Sequence, residues 1–203
     1  MMLKLKIIFA VLSLVTSNLV IAVEKDYIEL GKKGAEAFKQ GNLIEAMGLL
    51  QQSADKGYAP AQATLAFILD SSEEDNAAFK LYKKSALQQY PPGQYGLATM
   101  YMKGEGVTAN QVIAGRWMKL SARQGHVPAM RAVALAFEYG TLGIDKDLSM
   151  ASEWFHECHD KGDMSCSRRL SRAYGTGDLG FAVNMEKAKE LYELINTPVE
   201  EKK

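Results

Sequence analysis

The chain has 203 residues, of which 47% are hydrophobic, and it carries 24 basic and 24 acidic side chains. The formal net charge is therefore zero, which gives no reason to expect a nucleic acid or an anionic membrane surface as a partner. The length suits one domain or one short array of repeats.

The first 22 residues have the pattern of a secretory signal peptide. Lys4 and Lys6 precede an apolar run from Ile7 to Val15, and Val20-Ile21-Ala22 is suited to signal-peptidase cleavage. Polar residues 16–18 interrupt the apolar run, which disfavours the alternative of a membrane anchor. We expect residues 1–22 to be removed. The mature chain should then be periplasmic or secreted and have no membrane span.

From residue 24 to residue 196 the sequence repeats one unit of two helices joined by a turn. The clearest copy runs from Gly93 to Gly125. In this copy apolar residues recur at the spacing of one helix face, the glycines of segment 104–106 end the first helix, and Asn110 is placed to cap the second. One alanine marks the second helix of every copy: Ala46, Ala78, Ala114, Ala151 and Ala188.

Stacking of the copies follows from their amphipathic pattern. A lone helical hairpin cannot bury its apolar face, so neighbouring copies have to cover one another. We predict an all-α fold, an α/α solenoid (superhelix) of about five helix-turn-helix repeats, followed by a polar tail at residues 197–203. The predicted core positions of the first helices are Leu65, Leu97, Val133 and Leu170.

This pattern resembles the Sel1-like repeat (SLR) family, a tetratricopeptide relative with repeats of about 36 residues. The matching segments are the turn Gly104-Glu105-Gly106-Val107, the pair Trp154-Phe155 and the corner Gln124-Gly125-His126. The loops at 140–144 and 177–181 each carry one residue more than the family pattern. The resemblance covers about residues 26–196. It implies a helical scaffold that binds a protein or a peptide on its concave face.

The two cysteines lie symmetrically about a helix-helix corner. Cys158 is four residues before Gly162 and Cys166 four residues after it, where the other copies carry small residues. Small residues indicate a close helix contact, within the range that a disulfide spans, and cysteines of exported proteins are usually bridged. Cysteine-rich members of the family also have pairs eight residues apart. We predict a disulfide between Cys158 and Cys166.

A metal site is the alternative for this segment. His156 and His159 are three residues apart on a helix, and two thiolates could complete a tetrahedral set. Thiols rarely survive in an oxidising compartment, however, and Cys158 points away from the histidine face. The zinc-protease motif His-Glu-x-x-His is absent, because Asp160 stands where the second histidine would be. We expect no metal and no other cofactor.

No residue is predicted to be catalytic, and we expect no enzymatic activity. Ser53-Ala54-Asp55-Lys56 fits the Ser-x-x-Lys motif of penicillin-recognising enzymes. Ser53 nevertheless holds the same corner position as Ser85 and Ser121, so the repeat explains it. A cysteine-rich-type penicillin-binding or β-lactamase-like protein is a minor alternative. Four aromatic residues are interpreted as packing residues, because they keep the repeat register: Tyr82, Trp117, Trp154 and Tyr192.

The partner-binding surface is expected on the first helices, which line the concave face of tetratricopeptide-type solenoids. The positions two residues before and after each core residue hold Ala63, Phe67, Tyr95, Thr99, Arg131, Leu135, Arg168 and Arg172. The last six are predicted to bind the partner. Arg168 and Arg172 are one helical turn apart, and their guanidinium groups would suit a carboxylate-bearing segment. We predict an exported protein-binding scaffold. The alternative is an immunity or inhibitor protein against a periplasmic toxin.

Overall fold

The computed structural model describes residues 26–196, so the predicted signal peptide and the predicted polar tail lie outside the described residues. Within that range there are ten α-helices, one short 3-10 helix and no strand, which confirms the predicted all-α class. Every helix in residues 26–196 is too short or too polar to cross a membrane. The helices are α1 (residues 26–39), α2 (Leu43–Asp55), α3 (Ala59–Asp70), α4 (Asp75–Leu87), α5 (Pro91–Lys103), α6 (Gln111–Arg123), α7 (Val127–Tyr139), α8 (Leu148–Asp160), α9 (Met164–Thr176) and α10 (Met185–Asn196).

The helices are delimited by residues that the sequence places at their ends. Proline occupies the first turn of α3, α5 and α7, where a missing N–H costs nothing. Asn110 caps α6 as predicted, because its side chain accepts a hydrogen bond from the Ile113 amide at 2.9 Å. The left-handed glycines Gly104 and Gly140 end α5 and α7. These signals are local, so the sequence alone is enough to read them.

A serine at the corner of each of the first three hairpins fixes their common register. Each serine is fully buried, and its hydroxyl donates to a backbone carbonyl at the start of the first helix of its own hairpin. The pairs are Ser53 to Tyr27 at 2.6 Å, Ser85 to Ala59 at 2.8 Å and Ser121 to Pro91 at 2.7 Å. This contact accounts for Ser53, whose hydroxyl is buried and already donates its hydrogen. It therefore does not support the Ser-x-x-Lys interpretation.

The chain divides into two compact units at Ser85 and Ala86, inside α4. Each unit has an apolar core of its own. The first is built around Ala46, Leu50, Ala61 and Leu65. The second includes Met118, Val133, Phe155 and Leu170. All four predicted core positions, Leu65, Leu97, Val133 and Leu170, are buried.

The longer loop between α7 and α8 is held by a close approach to α6. Leu142 is buried in this loop with a left-handed backbone (φ 56°), and its carbonyl oxygen lies against Gly115 of α6. A Cβ at position 115 would overlap that oxygen. The glycine is therefore required by the loop that packs on it, because any side chain would displace the Leu142 backbone.

We expect Gly115→Ala to lower the free energy of unfolding by about 1–3 kcal/mol, the usual cost of overpacking a well-packed contact. Gly48→Ala in α2 is the matched control, because an added Cβ there has no neighbour within 4 Å. The control should stabilise the protein by about 0.5–1 kcal/mol through helix propensity. Urea denaturation measures both changes. Equal effects of the two substitutions would contradict the proposed contact.

Candidate functional site

Three of the six predicted partner-binding residues have intramolecular contacts. The Tyr95 ring packs on His126, with ring centroids 5.1 Å apart, and burial lowers the pKa of His126. The Thr99 hydroxyl donates to the Gly96 carbonyl at 2.7 Å. Arg131 forms an ion pair, described next. These side chains are therefore less available to a partner than the sequence suggested.

Arg131 of α7 is bound to the start of α9. Its Nη1 lies 2.7 Å from Asp163 Oδ2. The other oxygen of Asp163 caps α9, because it accepts hydrogen bonds from the amides of Ser165 and Cys166, both at 2.9 Å. The ion pair thus joins two neighbouring first helices. Arg131, one of the predicted partner-binding residues, is therefore already paired with the cap of the following hairpin.

A buried ion pair between the same two helices was missed from the sequence. Arg169 Nη2 lies 2.7 Å from Glu138 Oε1, and Arg169 Nε lies 3.2 Å from both carboxylate oxygens. Arg169 also lies near Asp178, with Nη1 3.8 Å from Oδ2, and over the Phe155 ring. Burial lowers the pKa of Arg169, but the hydrogen bonds and charge of Glu138 outweigh it, so the net pKa is raised. The feature of the sequence that could have indicated this ion pair is the spacing of the acidic and the basic residue, 31 positions, which is close to one repeat length.

These two ion pairs hold α7 and α9 side by side and leave a patch of four exposed side chains. Leu135 and Tyr139 are one turn apart on α7, and Arg168 and Arg172 are one turn apart on α9. Neither arginine forms an ion pair with any residue in the described part of the chain. We call Leu135, Tyr139, Arg168 and Arg172 the α7/α9 patch.

Tyr139 adds a fourth residue to this surface beyond the residues predicted to bind the partner. Its side chain is 65% exposed. A hydrogen bond with Glu138 and the negative charge of that carboxylate raise the pKa of Tyr139, while Arg169 and Arg172 act in the opposite direction. Tyr139 therefore stays protonated at neutral pH and lies within electrostatic reach of Arg172. The patch combines an aromatic ring, an aliphatic side chain and two guanidinium groups.

The structure places a disulfide between Cys158 at the end of α8 and Cys166 in α9. Their Sγ atoms are 2.14 Å apart and their Cα atoms 5.9 Å apart, and both side chains are fully buried. Cys158 occupies the corner position that Ser53, Ser85 and Ser121 hold in the earlier hairpins. The fourth hairpin thus has a covalent bond to the next helix where the others have a serine hydrogen bond.

The two histidines of the alternative metal site point to other partners. His156 Nδ1 donates to the Ser152 carbonyl at 2.9 Å, and Nε2 lies 3.2 Å from the Tyr174 hydroxyl. His159 Nδ1 is hydrogen-bonded to Ser167 at 2.8 Å. The thiolates that would complete the set are joined in the disulfide. The Sγ atoms of Cys158 and Cys166 and a carboxylate oxygen of Asp163 lie within 4.8 Å of one another, and neither histidine belongs to that group.

The aromatic residues divide into two groups. Trp117 and Trp154 pack against the core of the second unit, and Tyr82 is buried, in agreement with their interpretation as packing residues. Tyr192 of α10 is 63% exposed, so the same interpretation is wrong for that residue. The repeat register placed Tyr192 on the correct helix face. No helix in residues 26–196 covers that face.

Solved structures with a similar fold include proteins from three bacteria. A Sel1 repeat protein from Oxalobacter formigenes superposes with a TM-score of 0.74 at 20% identity, over 87% of this chain and 76% of that protein. A putative Sel1 repeat protein from Klebsiella pneumoniae gives 0.60 at 19% identity, over 84% and 86%. The protective antigen c5321 of uropathogenic Escherichia coli strains, which has an SLR fold, gives 0.71 at 30% identity, over 84% of this chain and 37% of the antigen.

Sequence comparison gives a consistent assignment. Chitin synthase regulatory factor 3 of Schizosaccharomyces pombe is 29% identical over 171 residues. The match covers 82% of this chain but only 17% of the yeast protein. The model of the Sel1 repeat matches residues 27–58, 71–90, 91–126, 127–157 and 165–195. The repeated hairpins, their common register and these matches together show that the chain belongs to the Sel1 repeat family.

Proposed function

We propose that this protein is an exported, periplasmic scaffold that binds an acidic segment of a protein partner on the α7/α9 patch. Sel1 repeats typically form protein-interaction scaffolds. The observation that carries the proposal is the pair Arg168 and Arg172, exposed on one face of α9 and without an ion pair among the described residues.

The composition of the patch favours a partner with carboxylates beside an apolar side chain. Guanidinium groups bind carboxylates through two parallel hydrogen bonds, and they do so with defined geometry. Leu135 and Tyr139 on the neighbouring helix provide the apolar contact. Tyrosine and arginine are also the residues that most often dominate the binding energy of interfaces. An acidic segment with one apolar anchor satisfies both halves of the patch.

Two observations support export. The first 22 residues have a charged start, an apolar run and a cleavage site, the order found in signal peptides. The Cys158–Cys166 disulfide is of a kind that persists in oxidising compartments and is rare in the cytosol. A non-catalytic role is supported by the yeast relative, which is described as a regulatory factor. Because this chain spans only 17% of the yeast protein, we do not propose that the two proteins share a partner.

The proposal predicts that Arg168→Ala/Arg172→Ala loses the partner while the fold is retained. Immobilised parent protein would capture proteins from a periplasmic extract, and the partner would be identified by mass spectrometry. We expect the double variant to bind that partner at least about tenfold more weakly, since truncated interface arginines commonly cost more than 1 kcal/mol each. Binding of the parent should also weaken as salt is added.

Arg116→Ala/Arg123→Ala is the matched control. Both of these arginines are exposed on α6, a second helix outside the patch, so their removal changes the net charge equally. The control should bind like the parent. If it loses the partner as strongly as the patch variant does, the attraction comes from net charge alone, and the α7/α9 patch is not the site.

A further inference from the structure

Neighbouring first helices of the second unit contact each other through two recurring positions. One position lies two residues before the core residue of a first helix, and the other is the residue that caps the start of the next first helix. Between α5 and α7 these positions hold Tyr95 and His126, whose ring centroids are 5.1 Å apart. Between α7 and α9 they hold Arg131 and Asp163, which form an ion pair at 2.7 Å. The residue types differ, but the two members of each pair are complementary.

The same register continues beyond α10 into residues 197–203. Arg168 of α9 holds the position of Arg131, two residues before the core residue Leu170. Asp163 follows Arg131 by 32 residues, and the residue that follows Arg168 by the same distance is Glu200. The α7–α8 and α9–α10 hairpins have equal numbers of residues between their core residue and their marker alanine, so the two spacings are equivalent. The sequence thus repeats an arginine and a carboxylate at these two positions.

The start of α9 is uncovered where the start of α7 is covered. Arg131 is half-buried in its pair with Asp163, whereas Arg168 is exposed and forms no ion pair with any described residue. One turn before Arg168, Met164 is 45% exposed, while Val127 at the same position of α7 packs against the core. The start of α9 therefore presents a guanidinium group beside an apolar side chain.

Residues 197–203 are suited to this surface in composition and in reach. Val199 and Glu200 place an apolar side chain next to a carboxylate, and the two lysines of the segment come after them, at positions 202 and 203. Glu200 is four residues beyond the end of α10, which an extended chain spans over about 14 Å. Asp163 reaches Arg131 from only three residues beyond the end of α8. The chain is therefore long enough for Glu200 to reach Arg168.

The segment differs from the earlier corners at one position. Val199 stands where those corners have the left-handed glycines Gly125 and Gly162. A β-branched residue rarely adopts that conformation. We therefore expect residues 197–203 to approach α9 as an extended segment and not as the start of a further helix.

We propose that residues 197–203 dock on the start of α9, with the carboxylate of Glu200 paired to Arg168 and Val199 against Met164. The contact repeats the ion pair of Arg131 one hairpin later. The docked segment occupies one arginine of the α7/α9 patch, so a partner has to displace it. The docking does not depend on the function proposed above, and only this competition with a partner rests on that function.

Cleavage of the full chain by a glutamate-specific protease tests the docking without any partner. A cut after Glu200 or Glu201, identified by mass spectrometry, requires the undocked segment, so its rate follows the undocked fraction. We expect Arg168→Ala to speed this cleavage about twofold, the effect of losing one solvent-accessible ion pair. Arg116→Ala is the matched control, because it removes the same charge from an exposed position of α6, and it should be cleaved at the parent's rate.

Two results would overturn the docking. Equal cleavage rates of Arg168→Ala and the parent would show that Arg168 does not hold the segment. Equal acceleration by Arg116→Ala would show that the rate responds only to the net charge of the protein.

A second variant tests the competition with the partner identified from the periplasmic extract. Glu200→Gln/Glu201→Gln should bind that partner about twofold more tightly than the parent, because a larger fraction of the protein has a free Arg168. Glu186→Gln/Glu190→Gln removes the same charge from exposed positions of α10 and should bind like the parent. If cleavage depends on Arg168 but the affinity for the partner does not change, the docking is supported and the proposed use of Arg168 by the partner is contradicted.

Discussion

Replacing Arg169 by alanine should lower the free energy of unfolding by roughly 3 kcal/mol, because it leaves the carboxylate of Glu138 buried without its partner. The Glu138 side chain is 8% exposed and that of Arg169 is 17% exposed. The remaining exposure of Arg169 places the expected loss at the low end of the range for broken buried ion pairs, about 3–5 kcal/mol. Urea denaturation of the parent and the variant measures the difference.

A double variant at the two positions distinguishes the effect of the charges on stability from the effect of side-chain packing. Arg169→Met/Glu138→Leu removes both charges and keeps most of the volume, so it should be more stable than Arg169→Ala. Arg168→Ala, at the adjacent exposed position, should change stability by no more than about 0.5 kcal/mol. If Arg169→Ala costs no more than Arg168→Ala, the pair does not hold α7 and α9 together.

Removal of the disulfide should have the second largest effect. The protein isolated under oxidising conditions is expected to have no free thiol and a mass about 2 Da below that of the reduced chain, since bridging removes two hydrogens. Cys158→Ala/Cys166→Ala should lose about 2–3 kcal/mol of stability, the value for a short closed loop. Two titratable thiols in the native protein would contradict the disulfide, and so would equal stability of this variant and the parent.

The serines of the other hairpins suggest a second variant, which tests whether a hydrogen bond can replace the disulfide at this corner. Serine holds the position of Cys158 in three other hairpins, and its hydroxyl donates to the start of the first helix there. Cys158→Ser/Cys166→Ala therefore gives the fourth corner the serine of the other corners and the alanine that two of them carry, Ala61 and Ala129. We expect it to be about 1 kcal/mol more stable than the double alanine variant, the usual net value of one hydrogen bond. Equal stability of the two variants would show that the fourth corner differs from the others.

The fold was predictable because its determinants are local and repeated. The marker alanines, the turn glycines and the core residues Leu65 and Val133 each follow from the spacing of one helix face. The ion pairs were not predictable in the same way. Whether Glu138 meets Arg169, and whether Arg131 meets Asp163, depends on how far neighbouring hairpins are shifted along each other. A side-chain pattern on one helix does not determine that shift.

Tyr192 and the α7/α9 patch also depend on helix packing that the sequence pattern does not determine. The register identified the face of Tyr192 correctly, but burial also requires a helix that covers it, and the described chain has none there. Arg168 and Arg172 were predicted to bind the partner because they lie two residues before and two residues after the core residue Leu170. Tyr139 was missed because it lies one turn beyond the positions considered. Its place beside Arg172 depends on the packing of α7 against α9.

The most direct test of the scaffold function is hydrogen–deuterium exchange of the protein with and without its captured partner. We expect binding to slow exchange in α7 and α9, the helices of Leu135, Tyr139, Arg168 and Arg172, and to leave exchange in α2 and α4 unchanged. The Arg168→Ala/Arg172→Ala variant should show no slowing at the same partner concentration. Slower exchange confined to α2 and α4, or to α10, would contradict the assignment of the binding site to the α7/α9 patch.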